Sequence, residues 1–336
     1  MTAAFDRILG HTNAKAFFAG VQETERIASG FLIHGDSGRG KLLLARSFIQ
    51  RLFCDQKVGC FECPPCRRFA VGSHGDIEVV AKIEGKSRIS IDQLRDLREW
   101  FHRAPYEADR RCAIIDGAHL MTEEAQNSLL KLLEEPPANG IILLVTENPQ
   151  GLLETIHSRL QAVFCGPLSE DEITVFLKEK VDASDEDIAK AVALSNGSPG
   201  TAMTILSDET SSVTFEAAFR LFDLKTLPFG YAEMVSGGRA TGAEARAKVT
   251  KILEAAMAMV SKQLAHTVSG DSSKPPLPSL APWPVEVLNE AQLLLIDAAD
   301  SLRSNTSPKS VLESLKIRMH RIVGQARRQK NVGGDR

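Results

Sequence analysis

Five short apolar runs constrain this chain more than any other feature: "FLIHG" (31–35), "DIEVVA" (76–81), "RCAIID" (111–116), "GIILLVT" (140–146) and "QAVFCGPL" (161–168). Each reads as a strand, and helical patterns separate them. Strands that are apolar almost throughout, rather than at alternate residues, are buried on both faces. Their alternation with helices implies a parallel sheet covered on both sides, an α/β fold. Such sheets bind ligands beyond the carboxyl ends of their strands. Gly35, Asp116 and Thr146 all fall at those ends, so one shared site is expected there.

After Pro167 the strand pattern stops. "SEDEITVFLKEK" (169–180) opens on Ser169 as an N-cap, with acidic residues in its first turn. "SDEDIAKAVALSNGSPG" (184–200) repeats that design and reaches a helix stop at Asn196-Gly197. The expected organisation is a sheet domain over 1–166, a small helical domain over 167–208 and a second helical domain over 209–327. Segments 242–266 and 285–303 are its long amphipathic helices. The Pro/Ser-rich stretch 269–284 between them reads as a loop, and 328–336 as a flexible tail.

The 336 residues are 43% hydrophobic and 25% charged, with a formal net charge of −3. That balance provides no bulk positive field for DNA or anionic lipid, so any nucleic-acid contact must be local. No window approaches the roughly 18 consecutive apolar residues of a membrane helix. "MTAAFDRILGHTNAK" lacks a basic segment followed by an apolar one, so neither a signal peptide nor a membrane partner is expected. The expected location is the cytoplasm.

The first strand leads into "GDSGRGKL". Gly35, Gly38, Gly40 and Lys41 fit a phosphate loop, in which backbone amides and a helix N-terminus cradle phosphate. The Ser or Thr that would hold magnesium is replaced by Leu42. Asp116, at the end of an apolar strand, stands where a Walker-B Asp would hold the metal. The carboxylate expected next is replaced by Gly117, and neither Ala118 nor His119 supplies it. Thr146 and Asn148 end the neighbouring strand, where a polar group can sense a γ-phosphate. Cys54, Cys60, Cys63 and Cys66 have spacings that close a tetrahedron around zinc. An iron–sulfur cluster is the rival, but the fourth Cys of that run would stand at Ala70. A four-thiolate zinc site is structural. Cys112 and Cys165 lie in strands as apolar fillers. "TEEAQNSLLKLLEEPP" (122–137) is an amphipathic helix capped by Thr122 and stopped by Pro136-Pro137. Arg110, Arg111, Arg95, Arg98, Lys82, Lys86 and Arg88 are the candidate DNA contacts; scattered solvated charge explains them more simply.

Together, "GDSGRGK", the four-cysteine insert, "LLKLLEEPP" and "HSRLQ" before "FCGPL" resemble the bacterial clamp-loader ATPase family of DNA polymerase III, its γ/τ and δ′ branches. The resemblance is specific through residues 1–205; beyond, "NTSPKSVLESLKIRM" (305–319) looks like the last helix of a collar. It implies an AAA+ P-loop domain with a zinc module at about 54–66, a helical lid and an all-α oligomerising collar. Within the family the pattern is similar to the δ′, or stator, branch. The motor branch needs the hydroxyl, the carboxylate and a lid arginine, whose places here hold Leu42, Gly117 and Pro199-Gly200. What survives is Ser158-Arg159, with Leu160 where the motif usually has Cys. The resemblance implies that Arg159 acts in trans as an arginine finger on a neighbouring γ/τ ATPase. The implied partners are γ/τ and δ subunits in a hetero-pentamer, the sliding clamp and primer-template DNA at the replisome. ATP or ADP in the chain's own degenerate site stays open, and helix 122–135 is a candidate for the subunit interface. Two other readings remain: an ATP-hydrolysing motor subunit, and a small-molecule P-loop kinase, against which the collar-like C-terminus and cysteine insert argue.

Overall fold

The computed structural model describes residues 3–23, 27–137, 139–207, 209–228, 230–236, 242–269, 283–304 and 306–333. The chain divides into two compact units: Met1–Phe176 with Gly197–Thr201, and Leu177–Asn196 with Ala202–Arg336.

The first unit is built on five parallel strands: β1 (Gly30–His34), β2 (Ile77–Val80), β3 (Arg111–Asp116), β4 (Gly140–Thr146) and β5 (Gln161–Phe164). Their order across the sheet is β2-β3-β4-β1-β5. β2, β3, β4 and β5 fall inside their apolar runs, and β1 starts one residue before its run, at Gly30. β5 is shorter than its run: Cys165 still donates to His34 O (2.7 Å), but Gly166-Pro167 carries the chain away. The helices are α1 (Thr12–Glu23), α2 (Lys41–Phe53), α3 (Pro64–Ala70), α4 (Ile91–His102), α5 (Glu123–Glu134), α6 (Glu154–His157) and α7 (Glu170–Lys180).

Alternation along each strand explains why these runs are apolar throughout. Phe31 and Ile33 of β1, Cys112 and Ile114 of β3, and Ile141, Leu143 and Val145 of β4 join one core with Phe18, Leu44, Phe48 and Ile49. Leu32, Ala113, Ile115, Ile142 and Leu144 join the opposite core with Leu94, Leu97, Phe101 and Leu129. Every residue of β4 is buried. Phe18 stacks on Phe48 with centroids 4.3 Å apart. At about 25 cal/mol per Å² of apolar area, this two-sided burial is the main force holding the sheet together.

The second unit is helical: α8 (Asp185–Leu194), α9 (Pro199–Ser207), which begins in the first unit, then α10 (Glu209–Phe222), α11 (Tyr231–Ser236), α12 (Gly242–Ser269), α13 (Val285–Arg303) and α14 (Pro308–Gly333). α14 continues through residues 328–333, part of the stretch expected to be a flexible tail. Of the expected loop 269–284, residues 270–282 lie outside the described residues. The core here joins α10, α12, α13 and α14 through Ala218, Ile252, Ala256, Leu288, Leu295, Leu312 and Met319. Lys316 is wholly buried on α14. Its Nζ donates to Arg220 O (2.5 Å), Leu221 O (3.1 Å) and Asp223 O (2.7 Å), satisfying carbonyls at the α10 C-terminus. No helix among the described residues is long and apolar enough to cross a membrane.

One buried carboxylate fixes the loop before β3. Asp76 accepts from the amides of Tyr106 (2.6 Å), Glu107 (2.8 Å) and Ala108 (3.0 Å). Arg111, one of the candidate DNA contacts, pairs with it at 3.4 Å and donates to Trp100 O and Ala104 O. Arg111 is therefore an internal strut, 7% exposed. Arg95 and Arg110 pair with Asp92 and Asp109 on the surface. Burial would raise the Asp76 pKa, but the three amides and Arg111 outweigh it and hold it below the ordinary value. Its folded pKa is thus depressed, so the contribution is present above the unfolded value and lost as pH falls through the folded one. Asp76→Asn is expected to cost about 2–3 kcal/mol at neutral pH in denaturant unfolding. The gap from the natural chain should close as pH drops below roughly 4.

Candidate functional site

The carboxyl ends of β1, β3 and β4 lie side by side, since β1 and β3 both pair with β4. Asp116 stands beside Val145, and His34 beside Thr146. Gly35, Gly38 and Gly40 take φ of 146°, 71° and 74° in the turn from β1 to α2. Lys41 is the first residue of α2 and 8% exposed. Its Nζ donates to Asp36 O at 2.6 Å, inside the same loop. Burial pushes its pKa down, opposed chiefly by the Glu147 carboxylate and also by Asp36. Asp36 pairs with the buried Arg39, whose carbonyl accepts from His11 Nε2 (2.8 Å). The next side chain, Leu42, packs against the sheet core.

The end of β3 is equally distinctive. Gly117 follows Asp116 with φ 72°, the left-handed region that strains a residue carrying a Cβ. A Glu in that place would carry left-handed strain of about 1–2 kcal/mol and press on the Leu120 side chain. His119 Nδ1 lies 3.0 Å from Thr146 Oγ1, which also accepts from Asn148 N (3.1 Å). Thr146 is 1% exposed, so its hydroxyl works inside the protein, while Asn148 is exposed. His119 Nε2 lies 3.8 Å from Glu147, a strand-end carboxylate that no motif marked.

The segment Gly197–Thr201 closes on the phosphate loop from behind. Ser198 Oγ donates to Ser37 O (2.9 Å) and Gly200 N to Gly38 O (3.0 Å). These bonds take loop carbonyls, not the amides that would face a phosphate. Gly200 is so close that a Cβ would lie 2.8 Å from Gly38 Cα. No side chain fits at position 200 in this packing. Ser198 carried no signal in the sequence, because its contact spans 161 residues.

Arg159 follows α6 at some distance along the chain from these groups. Its Nη1 donates to Thr155 O (2.9 Å) and Ser158 Oγ (3.3 Å), and its Nη2 pairs with Glu134 Oε1 at 2.7 Å. The side chain remains 34% exposed. Ser158 is exposed, its hydroxyl donating to Thr155 O at 3.1 Å. Glu134 is the last residue of α5, which Thr122 caps by accepting from Ala125 N.

The four cysteines converge. The Sγ atoms of Cys54, Cys60, Cys63 and Cys66 all lie within 4.8 Å of one another. Cys54 and Cys63 Sγ are 4.0 Å apart, near the edge of about 3.8 Å for a tetrahedron with 2.3 Å Zn–S bonds. Burial would raise the Cys54 thiol, yet amides of Cys60, Val58 and Gln56 bring it down to about 6. Burial, with the Cys63 and Cys54 thiols nearby, pushes Cys66 up to about 12. Four thiols this close cannot all ionise unless a cation sits among them, so the set suits a tetrahedral metal ion. The module also carries the N-terminal turn: Ala4 N donates to Val58 O (3.0 Å), and the Arg7 guanidinium lies over Phe61. Cys112 and Cys165 are fully buried, within the sheet core.

Residues 10–168 match a family model described as DNA polymerase III, delta subunit. The δ′ subunit of DNA polymerase III from Pseudomonas aeruginosa is 32% identical over 182 residues, covering 53% of this chain and 56% of the relative. The Escherichia coli δ′ subunit is 31% identical over 181 residues, covering 53% and 54%. The γ/τ subunit of Mycobacterium tuberculosis is 33% identical over 160 residues, covering 47% and 28%. The chain thus aligns with about half the length of the δ′ relatives it matches. A solved γ-subunit-related protein from Thermotoga maritima superposes with a TM-score of 0.51 at 17% identity, covering 92% of this chain and 99% of that one. That likeness bears on fold alone: a parallel sheet unit followed by helices. Through residues 10–168, the chain is similar to the δ′ and γ/τ subunits of DNA polymerase III.

Proposed function

We propose that this chain is a δ′-type stator of the clamp loader, which places a sliding clamp on primed DNA. Its partners in that reading are γ/τ and δ subunits in a hetero-pentamer, acting at the replisome. One contrast carries the proposal. The three positions that a motor subunit needs are given over to packing and backbone geometry: Leu42 to the sheet core, Gly117 to a left-handed turn, Gly200 to close contact with Gly38. Arg159 is instead exposed and fixed by hydrogen bonds. In this reading the phosphate loop serves as scaffold, and Arg159 enters a neighbouring γ/τ site to stabilise charge on its γ-phosphate. A planar, permanently protonated guanidinium suits that task. Arginine fingers accelerate hydrolysis by roughly 10³–10⁵.

The second reading, a motor in its own right, is favoured by one observation: Glu147 faces Lys41 and His119 at the strand ends, so a carboxylate is at hand. Steady-state ATP hydrolysis separates the two. The chain alone should show no magnesium-dependent turnover. The loader assembled with clamp and primed DNA should hydrolyse ATP, and Arg159→Ala should lower that rate by about 10³ or more. Turnover by the isolated chain that Glu147→Gln abolishes would establish the motor reading instead.

In the same reading, Cys54, Cys60, Cys63 and Cys66 hold one structural zinc ion, which would pin the loop between α2 and α3. Elemental analysis should find one zinc per chain, falling towards zero in Cys60→Ser. Because the N-terminal turn hangs on this module, amide exchange at residues 4–8 should speed up when the metal is chelated. ATP hydrolysis by the assembled loader should fall much less than in Arg159→Ala.

A further inference from the structure

The Arg159 side chain is held at three points. Thr155 O and Ser158 Oγ take two N–H groups from Nη1, and Glu134 takes one from Nη2. A guanidinium has five. Its Nε–H and the second Nη2–H have no partner among the described residues. Parallel N–H bonds are how arginine grips a phosphate. The contacts therefore fix the plane of the guanidinium and leave N–H donors on it without a partner among the described residues.

The backbone beneath is also fixed. Arg159 N donates to Ile156 O (3.1 Å), and Leu160 packs against the core that contains Leu133. Leu133 immediately precedes Glu134, so α5 supplies both an anchor for the segment after α6 and the carboxylate that meets the guanidinium. An exposed arginine without that carboxylate would sample many rotamers, and part of its binding energy would go to ordering it.

We propose that Glu134 is a positioning residue for Arg159, orienting the guanidinium so that its remaining N–H donors meet the neighbouring subunit's phosphate. This rests on the stator reading above. Glu134 never touches the nucleotide; it acts through Arg159. The ion pair lies at the surface and adds little to stability. Its effect is on geometry, where an error of about 1 Å can cost 10²-fold in rate.

The test is ATP hydrolysis by the fully assembled loader with clamp and primed DNA, using Glu134→Ala, Glu134→Gln, Arg159→Ala and the double variant. Glu134→Ala should lower kcat about tenfold with KM for ATP unchanged. Thermal unfolding and incorporation into the complex should match the natural chain. Glu134→Gln keeps an acceptor oxygen and should recover most of the loss. Glu134→Ala added to Arg159→Ala should cost nothing more, because the two act as one unit. A Glu134→Ala loader as fast as or faster than the natural one, while Arg159→Ala is crippled, would overturn the proposal. So would a further loss in the double variant, or no recovery in Glu134→Gln. Full activity in Arg159→Ala would instead sink the stator reading itself, and this inference with it.

Discussion

Burial of the sheet on both faces is the constraint on which the rest of this structure depends. Strands β1, β3 and β4 have no solvent side, so their registers are set by two cores at once. A slip of one residue would exchange Phe31 and Ile33 for Leu32, and would bring the wrong side chains to both layers. That double lock places the ends of three strands at one level. The glycine loop, Asp116 and Thr146 meet there because the cores leave them no alternative.

The strand ends are less an open cradle than a set of occupied positions. Leu42 joins the core where a hydroxyl would face a metal. Thr146 spends its hydroxyl on Asn148 N and His119. Gly200 leans on Gly38. Away from this cluster, Arg159 sits at the surface in a network whose members come from α5, α6 and the turn after α6. Lys41 and Thr146 at the strand ends are buried and paired, whereas the Arg159 guanidinium stays exposed.

Much of the sheet could be read from the sequence because continuous apolar runs leave few choices. β3 and β4 match their runs residue for residue. β5 was overread, since "CGPL" continues the apolar pattern while Gly166-Pro167 breaks the ladder. The cysteine cluster was legible from spacing, as all four ligands lie within 13 residues. Arg111 was not: a charged pair in the sequence looks solvated, and only Asp76, 35 residues earlier, shows why it is buried. Glu147 and Ser198 left no local trace either, and Glu134 stood within "LLKLLEEPP" with nothing to mark its partner. Their partners come together only when the sheet has brought distant segments side by side.

The contact between Gly38 and Gly200 has a bearing on which substitutions the chain tolerates as well as on shape. A hydroxyl at position 42 could enter by one substitution at the edge of the core. A carboxylate at 117 would meet left-handed backbone, and any side chain at 200 would collide with Gly38 Cα. A chain packed this way accepts a hydroxyl at 42 readily, but takes on strain with a side chain at 117 or 200.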